Sequence, residues 1–217
     1  VLTALCRDGH RVVGLDRAHA MLAVAAARVA RLGRAARGRA TLVQADFRAF
    51  TLRRRFPVVI CPFNAFQHLY ERTDVEMLLE RVADHMSENG TFVFDILQPD
   101  LRWLTRDPVK HWAKTRFRHP RTRRPFLYST NHTYDPVRQL AFIRIFYEPL
   151  DLPPERRRTR VIRLAHRQFF PKEIEDLLHY NGFRVVRRYG GFRGEEPGPD
   201  AESQVLVCAR SRRENRP

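Results

Sequence analysis

Four short, nearly unbroken apolar runs divide the first hundred residues: RVVGLD over 11–16, TLVQA over 41–45, VVIC over 58–61 and TFVFDIL over 91–97. Runs of this length with little polar alternation predict strands buried on both faces. Between them the apolar positions recur at helical spacing. Ala18, Met21, Leu22, Ala25 and Val29 form one stripe over 18–32, and Val75, Leu78, Leu79, Val82 and Met86 form another over 73–86. Thr73 and Glu76 have the spacing of a capping box at the start of the second. Ahead of the first run, Leu2, Leu5 and Cys6 share the face of a short helix that Gly9 would stop. Strands that alternate with helices predict a parallel sheet.

After Gln98 and Pro99 the pattern changes. Residues 100–119 are polar, carry Trp103 and Trp112, and show no clear period. Three β-rich runs follow at 126–134, 139–148 and 159–169, with no helical stretch between them, which predicts a three-stranded antiparallel piece laid over the parallel sheet. A helix over 171–180 opens on proline and ends at Asn181-Gly182, and its inward positions are Ile174, Leu177 and Leu178. Strands at 183–189 and 204–210, joined by a Gly/Pro/Glu loop, are expected as an antiparallel hairpin at the sheet edge. The tail at 211–217 is expected to be disordered.

Candidate chemistry gathers where strands end. Asp16 closes the first run, and Asp46 closes the second with Phe47 directly after it. A carboxylate at a strand's carboxyl end can accept two hydrogen bonds from a ribose diol; a carboxylate followed by a ring suits an adenine. Either acid alone would be read as a cap on the following turn. The third run stops at Pro62, which has no backbone N–H to continue a ladder. Phe63-Asn64-Ala65-Phe66 then sets aromatic faces and one amide at the mouth where ligands of open α/β sheets bind.

Composition changes this picture little. Arginine supplies 37 of the 40 basic residues and the net charge is +16, with small clusters at 53–55, 121–124 and 156–160. Such a charge points toward an anionic partner or simply an arginine-biased surface, and no RNA-binding module accompanies it. Cys6, Cys61 and Cys208 lie far apart in apolar contexts and read as buried reduced thiols, so a cytoplasmic location is the expectation. There is no long apolar run for a membrane span and no charged leader. No His/Asp/Glu group has metal-ligand spacing, and no metal is expected.

The order RVVGLD, QADF, VVICPFNAFQHL and SENGTFVFDIL, followed by FFPKEIEDLL and NGF, resembles the class I S-adenosylmethionine-dependent methyltransferases of the small-molecule branch. The resemblance runs from Val1 to about Arg210. It implies an α/β fold with a Rossmann-like methyltransferase sheet, mostly parallel with an antiparallel last strand, plus a small antiparallel β cover. By it, residues 1–98 form a cofactor-binding core, 99–169 the cover, and 170–210 the completion of the core. Asp16 would hold the ribose hydroxyls of S-adenosylmethionine, Asp46 the adenine amine and Phe47 the adenine ring, while Pro62, Phe63 and Asn64 would line the methionine end. The family's first strand and glycine-rich loop would precede Val1; Gly9 and Gly14 do not make such a loop. The expectation is therefore a truncated chain with two unpaired strand edges and weak cofactor binding.

The expected activity is methyl transfer from S-adenosylmethionine to a nitrogen or oxygen of a small-molecule acceptor. His68 is the candidate base, and Tyr134, Tyr147 and Tyr189, with His132 and His166, are candidates for the acceptor pocket. Two alternatives compete. A nucleic-acid methyltransferase would draw on the net charge, and a cofactor-dead scaffold domain would follow from the absent loop.

Overall fold

The computed structural model describes residues 1–211. The first helix, α1 (Leu2–Arg7), ends against Gly9, whose φ of +100° lets the chain reverse. Strand β1 (Val12–Asp16) pairs in parallel with β2 (Ala40–Gln44), in a register that sets Asp16 beside Gln44. Helices α2 (His19–Ala30) and α3 (Arg34–Arg37) connect them. The stripe expected along α2 is only partly used: Val29 is buried, but Met21 stays 57% exposed.

A second sheet has the order β3-β4-β10-β9, built from β3 (Phe56–Cys61), β4 (Met86–Leu97), β9 (Phe183–Tyr189) and β10 (Ser203–Arg210). Strand β3 is parallel to β4, and β10 runs antiparallel to both β4 and β9. The chain's last strand is thus antiparallel, and it lies inside the sheet while β9 takes the edge. The expected antiparallel hairpin at the sheet edge is present, with β9 outermost and β10 completing the hydrogen bonding of β4. Among the described residues the sheet is divided into two, of two and four strands, because β1 and β3 are not hydrogen-bonded to each other, and the two strand edges expected to be unpaired are the facing ones.

One face of the four-stranded sheet carries the core. Phe92, Phe94 and Ile96 alternate inward along β4, beside Leu206 and Cys208 of β10, and all five are fully covered. Helix α4 (Arg72–His85) adds Val75, Leu78, Leu79 and Val82; helix α6 (Pro171–Tyr180) adds Ile174 and Leu178. The opposite face differs from the sequence expectation. Val58 and Ile60 of β3 are 56% and 40% exposed, so this strand is buried on one face only.

Two boundaries in this part also move. Helix α4 starts one residue earlier than its apolar stripe implies, and its capping box is Glu71 with Asp74 in place of Thr73 with Glu76. The Asp74 carboxylate in the first turn accepts the Glu71 N–H at 3.2 Å, and the Asp74 N–H reaches the Glu71 backbone carbonyl at 3.1 Å. Strand β4 begins at Met86, because Met86 pairs with Phe56 before an irregularity at Pro57 restores the register.

The cover is a four-stranded antiparallel sheet of β5 (Trp112–Arg118), β6 (Pro125–Asp135), β7 (Leu140–Pro149) and β8 (Arg160–Arg167), one strand more than expected. The extra strand β5 lacked a readable period because it is a mostly exposed edge, with a break in register between Trp112 and Thr115. A short helix, α5 (Leu101–Leu104), leads into it. All three cysteines are buried and unpaired. No helix among the described residues is long and apolar enough to cross a membrane. The tail at 212–217 lies outside the described residues.

Candidate functional site

Parallel pairing brings the carboxyl ends of β1 and β2 side by side, and with them Asp16 and Asp46. Asp16 Oδ1 accepts the Ala18 N–H at 2.8 Å, and the Asp16 carbonyl accepts the Ala45 N–H at 3.2 Å. Asp46 is held more firmly. Arg48 donates its backbone N–H (2.9 Å) and Nε (3.0 Å) to Oδ1, and Nη2 to Oδ2 at 2.8 Å. The same guanidinium reaches Asp74 Oδ1 at 2.6 Å, tying the turn after β2 to the first turn of α4. The hydrogen bond from the Arg48 side chain is the main cause that holds the Asp46 carboxyl down to about 2, against the opposing effect of burial. Phe47, between them, is half-buried against the core.

The turn after β3 takes an unusual path. Phe63 and Asn64 both have left-handed backbones, at φ 63° and 56°, a conformation that costs non-glycine residues energy. Asp95 compensates. It is 4% exposed near the end of β4, and its two carboxylate oxygens accept the Phe63 and Asn64 N–H groups, each at 2.9 Å. Phe63 therefore projects outward, 78% exposed, at the mouth. Asn64 Oδ1 is buried with no hydrogen-bond partner. Neighbouring Cys61 is inert: burial first, and the Asp95 charge second, push its thiol up to about 12.

A 3₁₀ turn over Ala65–His68 carries the next two residues of the site. Gln67 is fully buried and joins two sheets, its Oε1 accepting the Leu97 N–H at 3.0 Å and its Nε2 donating to the Arg167 carbonyl at 2.9 Å. His68 sits at the end of that turn, its ring 5.0 Å from the ring of His166 on β8. Asp16, Asp46, Phe47, Pro62, Phe63, Asn64 and His68 thus all follow the carboxyl ends of parallel strands, and β8 of the cover meets this rim at His68.

The pairing register sorts the cover's side chains. Tyr128 pairs with Tyr147, His132 with Ile143, and Tyr134 with Ala141, which in turn pairs with His166. Alternation puts all of these on one face, the face that reaches His68. His132 stacks on Trp103 at 3.8 Å and shares a 2.8 Å hydrogen bond with that residue's carbonyl, so it is spent on structure. Tyr189 does not join this group. It lines a cavity of about 240 Å³ with Gln98, Pro171, Arg188, Ser203 and Gln204, none of them from the cover.

Sequence reasoning missed Asp95, Arg48 and Gln67. Asp95 had a signal: it stands near the end of a buried run, as Asp16 and Asp46 do. Arg48 had none, because one arginine among 37 is not distinctive until its partners are known. Among the described residues no group of three or more His, Cys, Asp or Glu side chains is placed to hold a metal ion.

Comparison with known proteins follows the same outline. Residues 1–90 match the family model described as a methyltransferase domain. No curated protein matches the chain by sequence. Several solved structures are similar in fold. The CcbJ methyltransferase from Streptomyces caelestis superposes with a TM-score of 0.79 at 17% identity, over 96% of this chain and 78% of that one. The glycopeptide N-methyltransferase MtfA gives 0.64 at 20% identity, over 96% and 77%. CalS10 from Micromonospora echinaspora, an amino pentose methyltransferase of calicheamicin biosynthesis solved with S-adenosylmethionine bound, gives 0.67 at 19% identity, over 93% and 74%.

Proposed function

We propose that this chain, which has the class I S-adenosylmethionine-dependent methyltransferase fold and a methyltransferase domain over residues 1–90, transfers a methyl group from S-adenosylmethionine to a nitrogen or oxygen of a small-molecule acceptor. The observation that carries the reading is that Asp16, Asp46 and the Asp95-anchored turn each stand at the carboxyl end of a strand in a parallel pair, with Phe47 packed against the core and Arg48 bound to Asp74 between the two pairs. Bound there, the cofactor would supply a methyl group already activated on a sulfonium, leaving the protein to hold, align and desolvate.

The donor set suits the cofactor. Asp16 keeps Oδ2 for a ribose hydroxyl once Oδ1 has taken the Ala18 N–H. An ionised carboxylate has about four acceptor positions, and Arg48 uses three on Asp46, leaving room for an exocyclic amine. Phe47 supplies a ring beside it. The unpartnered Asn64 Oδ1 calls for a donor, and the amino group of the methionine end is one. Gly9 and Gly14 contribute no cradle, since Gly9 ends α1 and Gly14 lies within β1. The acceptor would lie between this rim and the cover face that carries Tyr134 and Tyr147. Residues 1–98 would then hold the cofactor, 99–169 cover the acceptor and 170–210 complete the core.

Calorimetric titration with S-adenosylhomocysteine tests this. Asp16→Ala is expected to weaken binding about 10- to 100-fold, the value of one hydrogen bond to a charged group. Unchanged affinity in that variant, or no binding either by this chain or by a form extended ahead of Val1 with a strand and a glycine-rich loop, overturns the cofactor assignment. The net charge of +16 favours a second reading, a nucleic-acid acceptor. That reading requires RNA binding that weakens steeply with salt.

A further inference from the structure

Where the rim meets the cover, a phenol and a carbonyl decide which nitrogen of His68 carries its proton. Tyr70 has one hydroxyl hydrogen, and it is donated to the Ala165 carbonyl at 3.1 Å. The Tyr70 oxygen can then only accept. His68 Nδ1 lies 3.4 Å from it, so Nδ1 is the protonated nitrogen of the neutral ring. The lone pair of the ring is left on Nε2. This is the arrangement of an activated general base: one ring nitrogen oriented by a fixed partner, the other free to take a proton.

We infer that His68 Nε2 is the base that accepts the acceptor's proton, and that Tyr70, through its bond to the Ala165 carbonyl, is the positioning residue that selects the required tautomer. The inference rests on the methyl-transfer reading above. In the step, an N–C or O–C bond forms and the sulfonium S–C bond breaks with its electron pair staying on sulfur. The acceptor's proton passes to Nε2 and from there to water.

The surroundings keep this base neutral and available. Burial lowers the His68 pKa, the Ala165 carbonyl opposes that, and the charge of Arg17 lowers it further. On the cover side, His166 is pushed down to about 4 by burial first and the His68 charge second, and its Nδ1 is buried without a partner. His166 therefore stays uncharged beside His68 at neutral pH. The other charged neighbours are Arg167 on β8 and its partner Glu173 on α6; the pair closes at 2.8 Å and largely cancels. Tyr134 adds a phenol across β7 from His166. Only one of the two imidazoles, His68, then becomes charged when the step occurs.

Nitrogen-15 NMR of the imidazoles in the ligand-free protein tests the inference, with His68 assigned by its disappearance in His68→Gln. The expected result is a pyrrole-type Nδ1 and a pyridine-type Nε2 in the parent, and a mixture of the two tautomers in Tyr70→Phe. In His68→Gln the His166 midpoint is expected to rise above about 4. Adding S-adenosylhomocysteine should shift the His68 resonances. A proton found on Nε2, a Tyr70→Phe spectrum identical to the parent, or S-adenosylhomocysteine binding that leaves His68 unmoved each overturns the inference. Failure to bind S-adenosylhomocysteine, also in the form extended ahead of Val1, with the expected tautomer intact overturns the methyl-transfer reading instead.

Discussion

The two halves of the proposed site stand on unequal foundations. Asp16 and Asp46 close strands of a two-stranded sheet, in which every residue of β1 is only half-buried and α2 buries Val29 alone. The turn at 62–64 and His68 stand on the four-stranded sheet, whose core cluster draws on all four strands, two long helices and the 3₁₀ turn. No residue before Cys61 is a buried member of that cluster, and only Phe47 of the first half packs against it. The proposed cofactor-recognising half is thus held by a few buried side chains, Cys6, Val29 and Leu32, with hydrogen bonds and one guanidinium, whereas the proposed reacting half is held by a large packed core. The lesson is that recognition groups here stand on the part of the molecule with least burial to hold it, the kind of region that opens first.

The largest test of this contrast is a pair of truncations. Phe66 is fully buried, stacked on Phe94 at 4.4 Å and edge-on to Phe169 at 5.3 Å. Phe66→Ala is expected to cost about 3–5 kcal/mol in urea unfolding, whereas Val24→Ala, on the 47% exposed side of α2, should stay within about 0.5 kcal/mol. Similar losses at the two positions would abolish the distinction. Next in size, Asp95→Ala leaves two N–H groups of a left-handed turn without their carboxylate and should cost about 2–4 kcal/mol. It should also raise the amide-exchange rates of Phe63 and Asn64; retained protection there would mean the turn holds without Asp95.

The smallest effect is electrostatic. Because the Asp46 carboxyl is held down to about 2 in the folded protein, its pairing with Arg48 stabilises the fold above the ordinary value of 3.8. That contribution fades as pH falls from there through about 2. The pair is partly exposed, so solvent screening leaves about 1 kcal/mol. Asp46→Asn should shrink the loss of stability between about pH 4 and pH 2 by that amount, and an unchanged pH profile would show that Arg48 does not hold the turn.

Much of this was legible in the residues because it is local. The runs at 11–16, 41–45, 58–61 and 91–97 all became strands, the helix at 171–180 has the bounds its proline and Asn-Gly pair imply, and Asp16 and Asp46 stand at the strand ends where the spacing put them. Periodicity, prolines and end signals act over a few residues, so the chain itself states them. Tertiary structure decided what depends on partners distant in sequence. It placed β10 between β4 and β9, added β5 to the cover, and left Val58 and Ile60 exposed on a strand that reads as buried. It turned Arg48 from one arginine of many into a clamp between Asp46 and Asp74, and it seated Asp95 under a turn 31 residues earlier in the chain. It also set Tyr70 between His68 and Ala165, 95 residues further on, so that a phenol's single hydrogen selects a tautomer. A hydrogen bond across such a separation depends on which strands lie side by side, and no local pattern records that.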